Sequence, residues 1–311
     1  MLAYTIRRLF GILVMLLLLS MFTFTLSRVV PGGPWMQGAE IPLPDEQVAA
    51  FKAKYGLDKP LWQQYLVWLG NAARLDFGRP FTAPELSVTQ LIARVLPYSA
   101  LIGGLAAALA TAIGITLGII AAARQNSWID TLITSYAVGI ATIPSYVMGY
   151  ILAYLIAAKL GLFPTGGWGG PRHWVLPVVA FGLPASGGIA RWTRQCIAEA
   201  MAADYVRTAY AKGLSQASVM TRHVLRNAMI PIITSVLPIF PGMMTGSIFI
   251  ERVFGLPGLG TYFVMSSTNR DYPLVLGITI FWAVLISLTY LLTDILYGVI
   301  DPRVRIGEGA R

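Results

Sequence analysis

The stretch DYVRTAYAKGLSQASVMTRHVLRNAMIP, residues 204–231, separates two long apolar segments of the chain. Its pattern predicts a short helix that Asp204 caps and that ends at Gly213 in a left-handed conformation, followed by a second helix that begins at Ser215. Only 12% of the chain is charged, yet four basic residues fall here: Arg207, Lys212, Arg222 and Arg226. On spacing alone, the stretch is either a helix across the membrane face on which a soluble partner pushes, or a basic amphipathic loop resting on anionic headgroups.

The composition of the whole chain is typical of a membrane protein. Of its 311 residues 56% are hydrophobic, and the mean hydropathy is +0.66, which is more apolar surface than a soluble domain can bury. The net charge of +9 comes from basic residues scattered between apolar runs, which favours a topology signal over a nucleic-acid patch. Cys196 is the only cysteine, and His173 and His223 are the only histidines, so a disulfide framework and a histidine metal cluster are not expected.

Six stretches without charged side chains are long enough to cross a hydrocarbon core of about 30 Å, which takes roughly 20 helical residues. They are residues 9–26, 95–123, 131–158, 174–190, 227–250 and 272–293. The fourth is expected to continue past Arg191 and Arg194, whose side chains would reach the headgroups from one helix face. We therefore predict an all-α polytopic membrane protein with six transmembrane helices, an extracytoplasmic helical loop after the first, and a cytoplasmic transverse helix between the fourth and fifth, which is either a coupling helix for a partner or a loop resting on the headgroups.

The distribution of Lys and Arg predicts the orientation. With a cytoplasmic amino terminus, twelve of these residues fall in inside segments and four in the two short outside loops, so both termini are expected in the cytoplasm. The chain is therefore expected to have four parts. Residues 1–27 form a first anchor helix and residues 28–94 an extracytoplasmic helical loop. Residues 95–303 form a five-helix core that includes the loop 199–226, and residues 304–311 form a cytoplasmic tail.

The long first loop contains two predicted helices. PDEQVAAFKAKYG, residues 44–56, has acidic residues at its start and glycine at its end. KPLWQQYLVWLGNAARLDFG, residues 59–78, predicts an amphipathic helix with five side chains on one apolar face: Leu61, Tyr65, Leu66, Trp68 and Leu69. These helices either pack on the membrane interface or form a docking platform for a partner.

Glycines and prolines inside the spans predict how the helices pack and bend. Gly114 and Gly118 form one GxxxG pair and Gly242 and Gly246 another, and both are expected to let helix backbones approach closely. Five prolines within or beside the spans predict broken or kinked helices: Pro144, Pro184, Pro231, Pro238 and Pro241.

The sequence lacks the groups that would drive transport or catalysis. No glycine-rich phosphate loop ends in Gly-Lys-Ser/Thr, and none of the six spans contains an ionisable residue of the kind that couples transport to protons or sodium. GxSxG and HExxH motifs for an intramembrane hydrolase are also absent. The chain is therefore either a passive channel or scaffold, or a pathway that another subunit drives.

DYVRTAYAKGLS together with RHVLRNAMIP resembles the cytoplasmic EAA-type loop of bacterial ATP-binding-cassette import permeases of the dipeptide, oligopeptide and nickel group. Aligned on Gly213, the Glu-Ala-Ala positions hold Arg207, Thr208 and Ala209. Further stretches resemble the same family along nearly the whole chain: IRRL, YGLDKPLWQQYLVWL, LDFGRPF, ERVFGLPGLG, RDYP and LLTDILYGVIDPRVR. PGGP, residues 31–34, departs from the family, which commonly has an aspartate before the last proline. The long loop straight after the first span is similar to the B-type member of the paired permeases.

The resemblance implies a division of labour in the cytoplasmic membrane of a bacterium or archaeon. A second homologous permease would complete the pathway, and two ATP-binding-cassette ATPase subunits would bind the ATP and Mg, so that this chain carries no cofactor and no ATPase site. An extracytoplasmic solute-binding protein would deliver substrate, and membrane lipid would surround the spans, with no role for nucleic acid. The family takes peptides, glutathione, nickel chelates and some sugars, so the resemblance leaves the substrate open.

Three groups of residues follow as site predictions, without catalytic or metal-binding residues. The set expected to dock the ATPase is Asp204, Tyr205, Arg207, Thr208, Ala209, Lys212, Gly213 and Leu214. The set expected to face the binding protein is Glu251, Phe254, Pro257 and Gly258. The set expected either to line the pathway or to pack in the core is Pro144, Ser145, Met243, Met244 and Thr245.

Overall fold

The computed structural model describes residues 2–30, 32–36 and 44–300, and within these ranges the chain forms helices and turns without any strand. The first half contains α1 (Leu2–Val29), a 3-10 turn (Pro34–Met36), α2 (Asp45–Lys54), α3 (Leu61–Ala72), α4 (Val88–Ala123), α5 (Trp128–Thr142) and α6 (Ser145–Leu152), which a π-helical stretch extends (Ala153–Lys159). The second half contains α7 (Pro171–Ala202), α8 (Asp204–Ala211), α9 (Gln216–Val219), a π-helical stretch (Met220–Val224), α10 (Leu225–Val236), α11 (Ile239–Met244), α12 (Ile248–Val253), α13 (Leu259–Thr268) and α14 (Tyr272–Ile300).

The candidate membrane spans confirm the predicted fold class. Within the described residues, five helical segments are long and apolar enough to cross a membrane: Thr5–Val29, Val88–Ala123, Pro171–Ala202, Gln216–Met244 and Tyr272–Ile295. A bent pair, α5 followed by residues 145–159, brings the number to six when it counts as one span. The fourth predicted span does continue past Arg191, as expected, because α7 runs on to Ala202. The cytoplasmic tail predicted at 304–311 and Pro31 of the PGGP stretch lie outside the described residues.

The third predicted span is broken, not continuous. Its two halves meet at Ile143 and Pro144 with a bend of 93°. Ile143 is extended, with φ −80° and ψ 116°, because the ring of a following proline disfavours the helical conformation. Pro144 then occupies the position that precedes α6. The break predicted at Pro144 is therefore confirmed: this proline ends the first half of the span predicted at 131–158 and precedes the second half.

The fifth predicted span ends earlier than expected. The helical run that begins at Gln216 stops at Met244, and Gly246 follows with φ +95°, a left-handed conformation that glycine adopts without strain. Gly242 has open space around the position of an added Cβ. Gly242 is therefore not a helix-packing site, whereas Gly246 makes the turn between α11 and α12 and lies close to α4, since a Cβ there would be 3.0 Å from the hydroxyl of Ser99.

The first GxxxG pair is a packing site, as predicted. A Cβ added to Gly118 would lie 2.5 Å from Cβ of Thr193 and 2.7 Å from the carbonyl oxygen of Ala190. One added to Gly114 would lie 2.6 Å from Cβ of Ile189. The backbone of α4 thus touches α7 along two helical turns, an approach that any side chain larger than hydrogen at these glycines would prevent.

The chain divides into two compact units. The first unit comprises residues 1–97 and 258–288, and the second comprises residues 98–257 and 289–311. In the second unit, α5, α6 and α10 all pack against α7. This arrangement makes α7 the central helix of the second unit and places its carboxyl end directly before α8.

Aromatic rings hold the first unit together. Phe81 lies with its ring centroid 5.4 Å from that of Phe51, 4.7 Å from that of Tyr55 and 6.0 Å from that of Tyr272. The buried carboxylate of Asp271 accepts hydrogen bonds from the backbone N–H and the hydroxyl of Thr82, at 2.9 and 2.8 Å. These contacts fasten the segment before α4 to the start of α14.

The helix α3 packs on α1 through only part of its predicted apolar face. The ring of Tyr65 lies 5.2 Å from that of Phe24, and its hydroxyl is 2.9 Å from the hydroxyl of Ser20. Leu61 and Leu66 are exposed. Tyr65 of the predicted apolar face therefore packs on α1, while the sharing of one apolar face by all five residues stays a prediction.

Candidate functional site

The helix α8 begins one residue after α7 ends. Ala203 is extended, with φ −73° and ψ 150°, and precedes Asp204, the first helical residue. No side chain caps this end, so the prediction that Asp204 is the cap was wrong. Its carboxylate lies in the first turn instead, where a negative charge favours the helix dipole. A single non-helical residue, Ala203, therefore connects α7 to α8.

The other end of α8 has the predicted glycine stop. Gly213 is left-handed, with φ +78°. Its N–H donates to the carbonyl of Tyr210 at 2.9 Å, and the N–H of Leu214 donates to the carbonyl of Ala209 at 3.3 Å. This pair of bonds is the Schellman motif, which satisfies the last carbonyls of a helix. Ser215 then accepts from the N–H of Ser218 at 3.4 Å and begins α9, as predicted.

One face of α8 is buried in the second unit. Val206 is 2% exposed and Ala209 is 4% exposed, three residues apart and therefore on the same side of the helix. Both belong to an apolar cluster with Ile197 of α7 and Val219 of α9. Ala209, which we predicted to dock the ATPase, therefore anchors the helix with its side chain, because the helical repeat places it beside Val206.

The remaining residues of the predicted docking set are exposed. We call them the coupling face: Asp204, Tyr205, Arg207, Thr208, Lys212, Gly213 and Leu214. Arg207 lies 3.8 Å from the carboxylate of Asp204, and both side chains are open to solvent. The hydroxyl of Thr208 donates to the carbonyl of Asp204 at 3.0 Å. The structure thus presents a short helix with an apolar side held by the protein and a charged side available to a partner.

A buried ion pair fastens α5 to α7 ten residues before α8. The guanidinium of Arg194 donates to both carboxylate oxygens of Asp130, at 2.6 and 2.7 Å, and Asp130 is 4% exposed. Asp130 also accepts from the N–H of Asn126 at 2.9 Å. The prediction that Arg194 reaches the headgroups was wrong, because a carboxylate on the neighbouring helix takes its two N–H groups. No local sequence pattern could indicate this ion pair, since the two residues are 64 positions apart.

The predicted binding-protein set is buried at three of its four positions, Glu251, Phe254 and Gly258. Glu251 is 2% exposed and accepts a hydrogen bond from the hydroxyl of Ser99 at 2.7 Å, while Phe254 is 1% exposed. Pro257 is half-buried, and Gly258 precedes the first residue of α13. In this conformation Glu251 and Phe254 therefore pack inside the second unit and do not present their side chains at a surface, a difference from the prediction that arises because Ser99 supplies a partner for the carboxylate.

The predicted pathway set falls at two structural breaks. Pro144 and Ser145 lie at the bend between α5 and α6. Met243 and Thr245 are buried at the end of α11, where the hydroxyl of Thr245 donates to the carbonyl of Gly242 at 2.7 Å. The role of this set as a pathway lining stays a prediction. Among the residues that the structure describes, no group of three or more His, Cys, Asp or Glu side chains could hold a metal ion.

Two regions of the chain match known protein families. Residues 114–306 match the family described as binding-protein-dependent transport system inner membrane component. Residues 1–90 match the N-terminal region of binding-protein-dependent transport system membrane components. The chain belongs to this family. In this inner membrane component, the stretch 204–231 that the sequence analysis singled out lies inside the larger of the two matched regions.

Curated relatives match the inner membrane component over almost its full length. The oligopeptide transport system permease protein OppB of Haemophilus influenzae is 41% identical over 98% of this chain and 100% of its own length. The dipeptide transport system permease protein DppB of Bacillus subtilis is 37% identical over 97% and 98%, respectively. OppB of Escherichia coli K12 is 38% identical over 98% and 100%. The predicted membership of the dipeptide and oligopeptide permease family is thereby confirmed.

Solved structures confirm the fold of the inner membrane component. A chain of an amino acid ABC transporter crystallised with histidines superposes with a TM-score of 0.56 at 19% identity, over 67% of this chain and 94% of that one. A chain of the MetNI methionine ABC transporter, in an inward-facing conformation, gives 0.58 at 13% identity, over 68% and 96%. At these identities the likeness concerns the fold alone.

Proposed function

We propose that the chain is the permease subunit of a peptide importer driven by ATP, and that its coupling face is the surface on which an ATPase subunit pushes. A second homologous permease would complete the pathway, two ATP-binding-cassette ATPases would supply ATP and Mg, and an extracytoplasmic binding protein would deliver the peptide. The observation that carries the proposal is the division of α8 into a buried side, with Val206 and Ala209, and an exposed charged side.

The way α8 is built suits the transmission of force. Its buried side belongs to the same apolar cluster as Ile197 of α7, and its exposed side offers Tyr205, Arg207 and Lys212. Because packed side chains resist compression, a push on the exposed side moves α7 with it. The ion pair between Asp130 and Arg194 then passes the movement to α5. Three helices would thus follow one ATPase contact and open or close the pathway by alternating access.

Two further parts of the proposal concern substrate and orientation. The relatives' names support a dipeptide or an oligopeptide as the substrate; a nickel chelate, glutathione or a sugar would be the alternative within the same class. The excess of Lys and Arg in 199–226 and the other inside segments supports a cytoplasmic location of α8 and of both termini, in the inner membrane.

The first experiment tests the coupling face through Gly213. We expect Gly213→Val to reduce the stimulation of ATPase activity by the binding protein about tenfold in the reconstituted transporter, because a residue with a Cβ at this φ costs about 1–2 kcal/mol. A Cβ at Gly213 would meet no atom within 4 Å, so the substitution acts on the backbone conformation and not through a collision. Gly213→Asn should retain most of the stimulation, because asparagine tolerates the left-handed region.

Gly161 provides the matched control. It follows the helical stretch Ala153–Lys159 with φ +63°, and its added Cβ also meets nothing within 4 Å. Gly161→Val therefore imposes a similar backbone strain away from the coupling face and should leave the stimulation unchanged. Normal stimulation in Gly213→Val, or an equal loss in both valine variants, would contradict the proposed role of α8.

The second experiment tests the substrate and the need for a partner. Proteoliposomes that contain the complete transporter should accumulate a labelled dipeptide or oligopeptide only when ATP and the binding protein are both present. The same chain alone should not accumulate it, because its described residues and its sequence lack a phosphate loop. ATP-independent equilibration of peptide by the chain alone would instead identify a passive channel, and ATP-driven uptake of another solute without peptide uptake would remove the peptide assignment.

A further inference from the structure

A cavity of about 390 Å³ lies within the first unit and has no part in the coupling mechanism. Its walls come from the last turn of α1, from the segment 55–81, and from Pro273 and Leu276 at the start of α14. Both polar and apolar side chains line it, among them Gln64, Asn71 and Trp68. The cavity is large enough for a small charged headgroup, and its chemistry is set by the basic residues on its walls.

Arg28 is the basic residue that the protein holds most firmly in this cavity. Its Nε donates to Oε1 of Gln64 at 2.9 Å, and its Nη1 donates to the hydroxyl of Ser27 at 3.2 Å. The guanidinium carbon lies 3.5 Å from the ring centroid of Phe24 and 5.2 Å from that of Tyr272. Gln64 is fixed in turn, because its Nε2 donates to the carbonyl of Lys59 at 2.7 Å. The side chain is therefore preorganised before any ligand arrives.

The arrangement leaves part of the guanidinium without an acceptor. Among the residues that the structure describes, Nη2 of Arg28 has no hydrogen-bond partner, and no carboxylate lies within 4.0 Å of the group. Arg28 is half-buried, and a partly desolvated cation without a counter-charge is unfavourable. A bound anion would supply both the charge and the acceptor, and guanidinium groups match the oxygens of a phosphate particularly well.

The other charges of the cavity favour an anion as well. Lys59 and Arg79 line it together with Arg28, against the single carboxylate of Asp76. Asp76 already accepts the N–H of Gly78 at 2.9 Å, which ties the carboxylate to its own loop. Three cations and one anion give a local balance of +2. A ligand with its own cationic group, such as a zwitterionic headgroup, would meet repulsion that an anionic one avoids.

The position of the cavity indicates where the anion comes from. Arg28 lies in the last turn of the span Thr5–Val29, and Pro273 and Leu276 lie at the start of the span Tyr272–Ile295. The ends of apolar spans lie at the depth of the lipid phosphates. Beside the cavity, Val67 on its wall is exposed and offers apolar surface to the beginning of an acyl chain.

We propose that this cavity binds the phosphate group of an anionic phospholipid, with Arg28 as the principal contact and Lys59 and Arg79 as supporting charges. A bound lipid would pin α1 to the segment 55–81, since Arg28 comes from the first and Lys59 and Arg79 come from the second. The first unit would then be most stable in a bilayer that contains anionic lipid.

The test measures lipid affinity by native mass spectrometry of the full transporter in neutral detergent, with phosphatidylglycerol and phosphatidylcholine of identical acyl chains. We expect Arg28→Gln to lower the affinity for phosphatidylglycerol about tenfold, because a charge-assisted phosphate contact is lost. Arg74→Gln is the matched control, because Arg74 is an exposed arginine of the same loop that does not line the cavity. It should leave the affinity unchanged.

A second variant avoids the contacts that Arg28 makes in folding. Lys59→Gln with Arg79→Gln keeps every bond of Arg28 and should lower the phosphatidylglycerol affinity about fivefold, because two supporting charges near the phosphate are lost. Equal affinities for the two lipids, or an unchanged affinity in this double variant, would overturn the site. Competition by soluble glycerophosphoglycerol or inorganic phosphate as strong as that by the lipid would assign the cavity to a soluble anion and overturn the lipid assignment.

Discussion

In the first unit, aromatic rings meet around Phe81 and Phe24, whereas in the second unit helix backbones touch at Gly114, Gly118 and Gly187. The aromatic rings bury large surfaces, and this stabilises structure where water is the alternative solvent. Close backbone contacts depend on van der Waals packing and hydrogen bonds, which act where lipid gives helices no hydrophobic reason to associate. Phe81 belongs to the segment between the first two spans, whereas Gly114, Gly118 and Gly187 lie within spans.

The two kinds of contact also differ in the substitutions that they tolerate. A contact between backbones has no rotamer that can relax, so one added methyl group forces two helices apart. A cluster of rings can rearrange around a smaller side chain at a moderate cost. Three substitutions test this contrast, and they run from the largest expected loss of stability to the smallest.

Gly118→Ala should have the largest effect. Its new methyl group would lie 2.5 Å from Cβ of Thr193 and 2.7 Å from a backbone oxygen of α7, so we expect a loss of roughly 3 kcal/mol in the free energy of unfolding. The thermal melting of the purified transporter measures it. Gly188→Ala on α7 is the control, because a Cβ there meets nothing within 4 Å and alanine favours helix. Equal melting temperatures of the two variants would refute the close contact of α4 and α7.

Asp130→Asn should have an intermediate effect. It removes the charge partner of Arg194, and we expect a loss of about 2 kcal/mol, below the value for a fully buried pair because Arg194 remains 30% exposed. The double variant Asp130→Leu with Arg194→Met removes both charges and should be more stable than Asp130→Asn. A double-mutant cycle compares the melting temperatures of the single and double variants of this pair. Additive losses would mean that the two side chains do not act as a pair.

Phe24→Leu should have the smallest effect. It removes the ring that faces Tyr65 and the guanidinium of Arg28, while leucine still fills part of the space, so we expect a loss of about 1 kcal/mol. Increased cleavage by trypsin at the lysines of the first loop reports it. Phe22→Leu changes an exposed ring of the same helix and should leave the cleavage rate as it was. A Phe24 variant that loses as much stability as Gly118→Ala would erase the contrast between the two units.

The sequence was a sufficient guide to features that are local or periodic. The six apolar segments, the packing glycines at 114 and 118, the stop at Gly213 and the start at Ser215 each depend on neighbours within about one or two helical turns. Gly213 is a clear example, because a glycine after a short helical pattern has few structural alternatives.

Features that depend on distant partners were not predictable. The spacing of Gly242 and Gly246 is the same as that of Gly114 and Gly118, yet Gly242 has open space beside it while both members of the other pair touch α7. Glu251 looked like an exposed charge in a loop until Ser99, 152 positions away, supplied its hydrogen bond. Ala209 sat in the family's recognised motif, and only the tertiary packing placed it on the buried side.

The bend at Ile143 also limits how far α5 can reach. Its 15 residues extend about 22 Å at 1.5 Å per residue, which is less than the roughly 30 Å of a hydrocarbon core. The carbonyls that every helix end leaves without intrahelical partners then lie part-way through the bilayer. Hydrocarbon cannot solvate these carbonyls, so either water or neighbouring protein must reach them. A helix that stops short of the full hydrocarbon thickness therefore requires either a polar recess or a polar protein contact beside its last carbonyls.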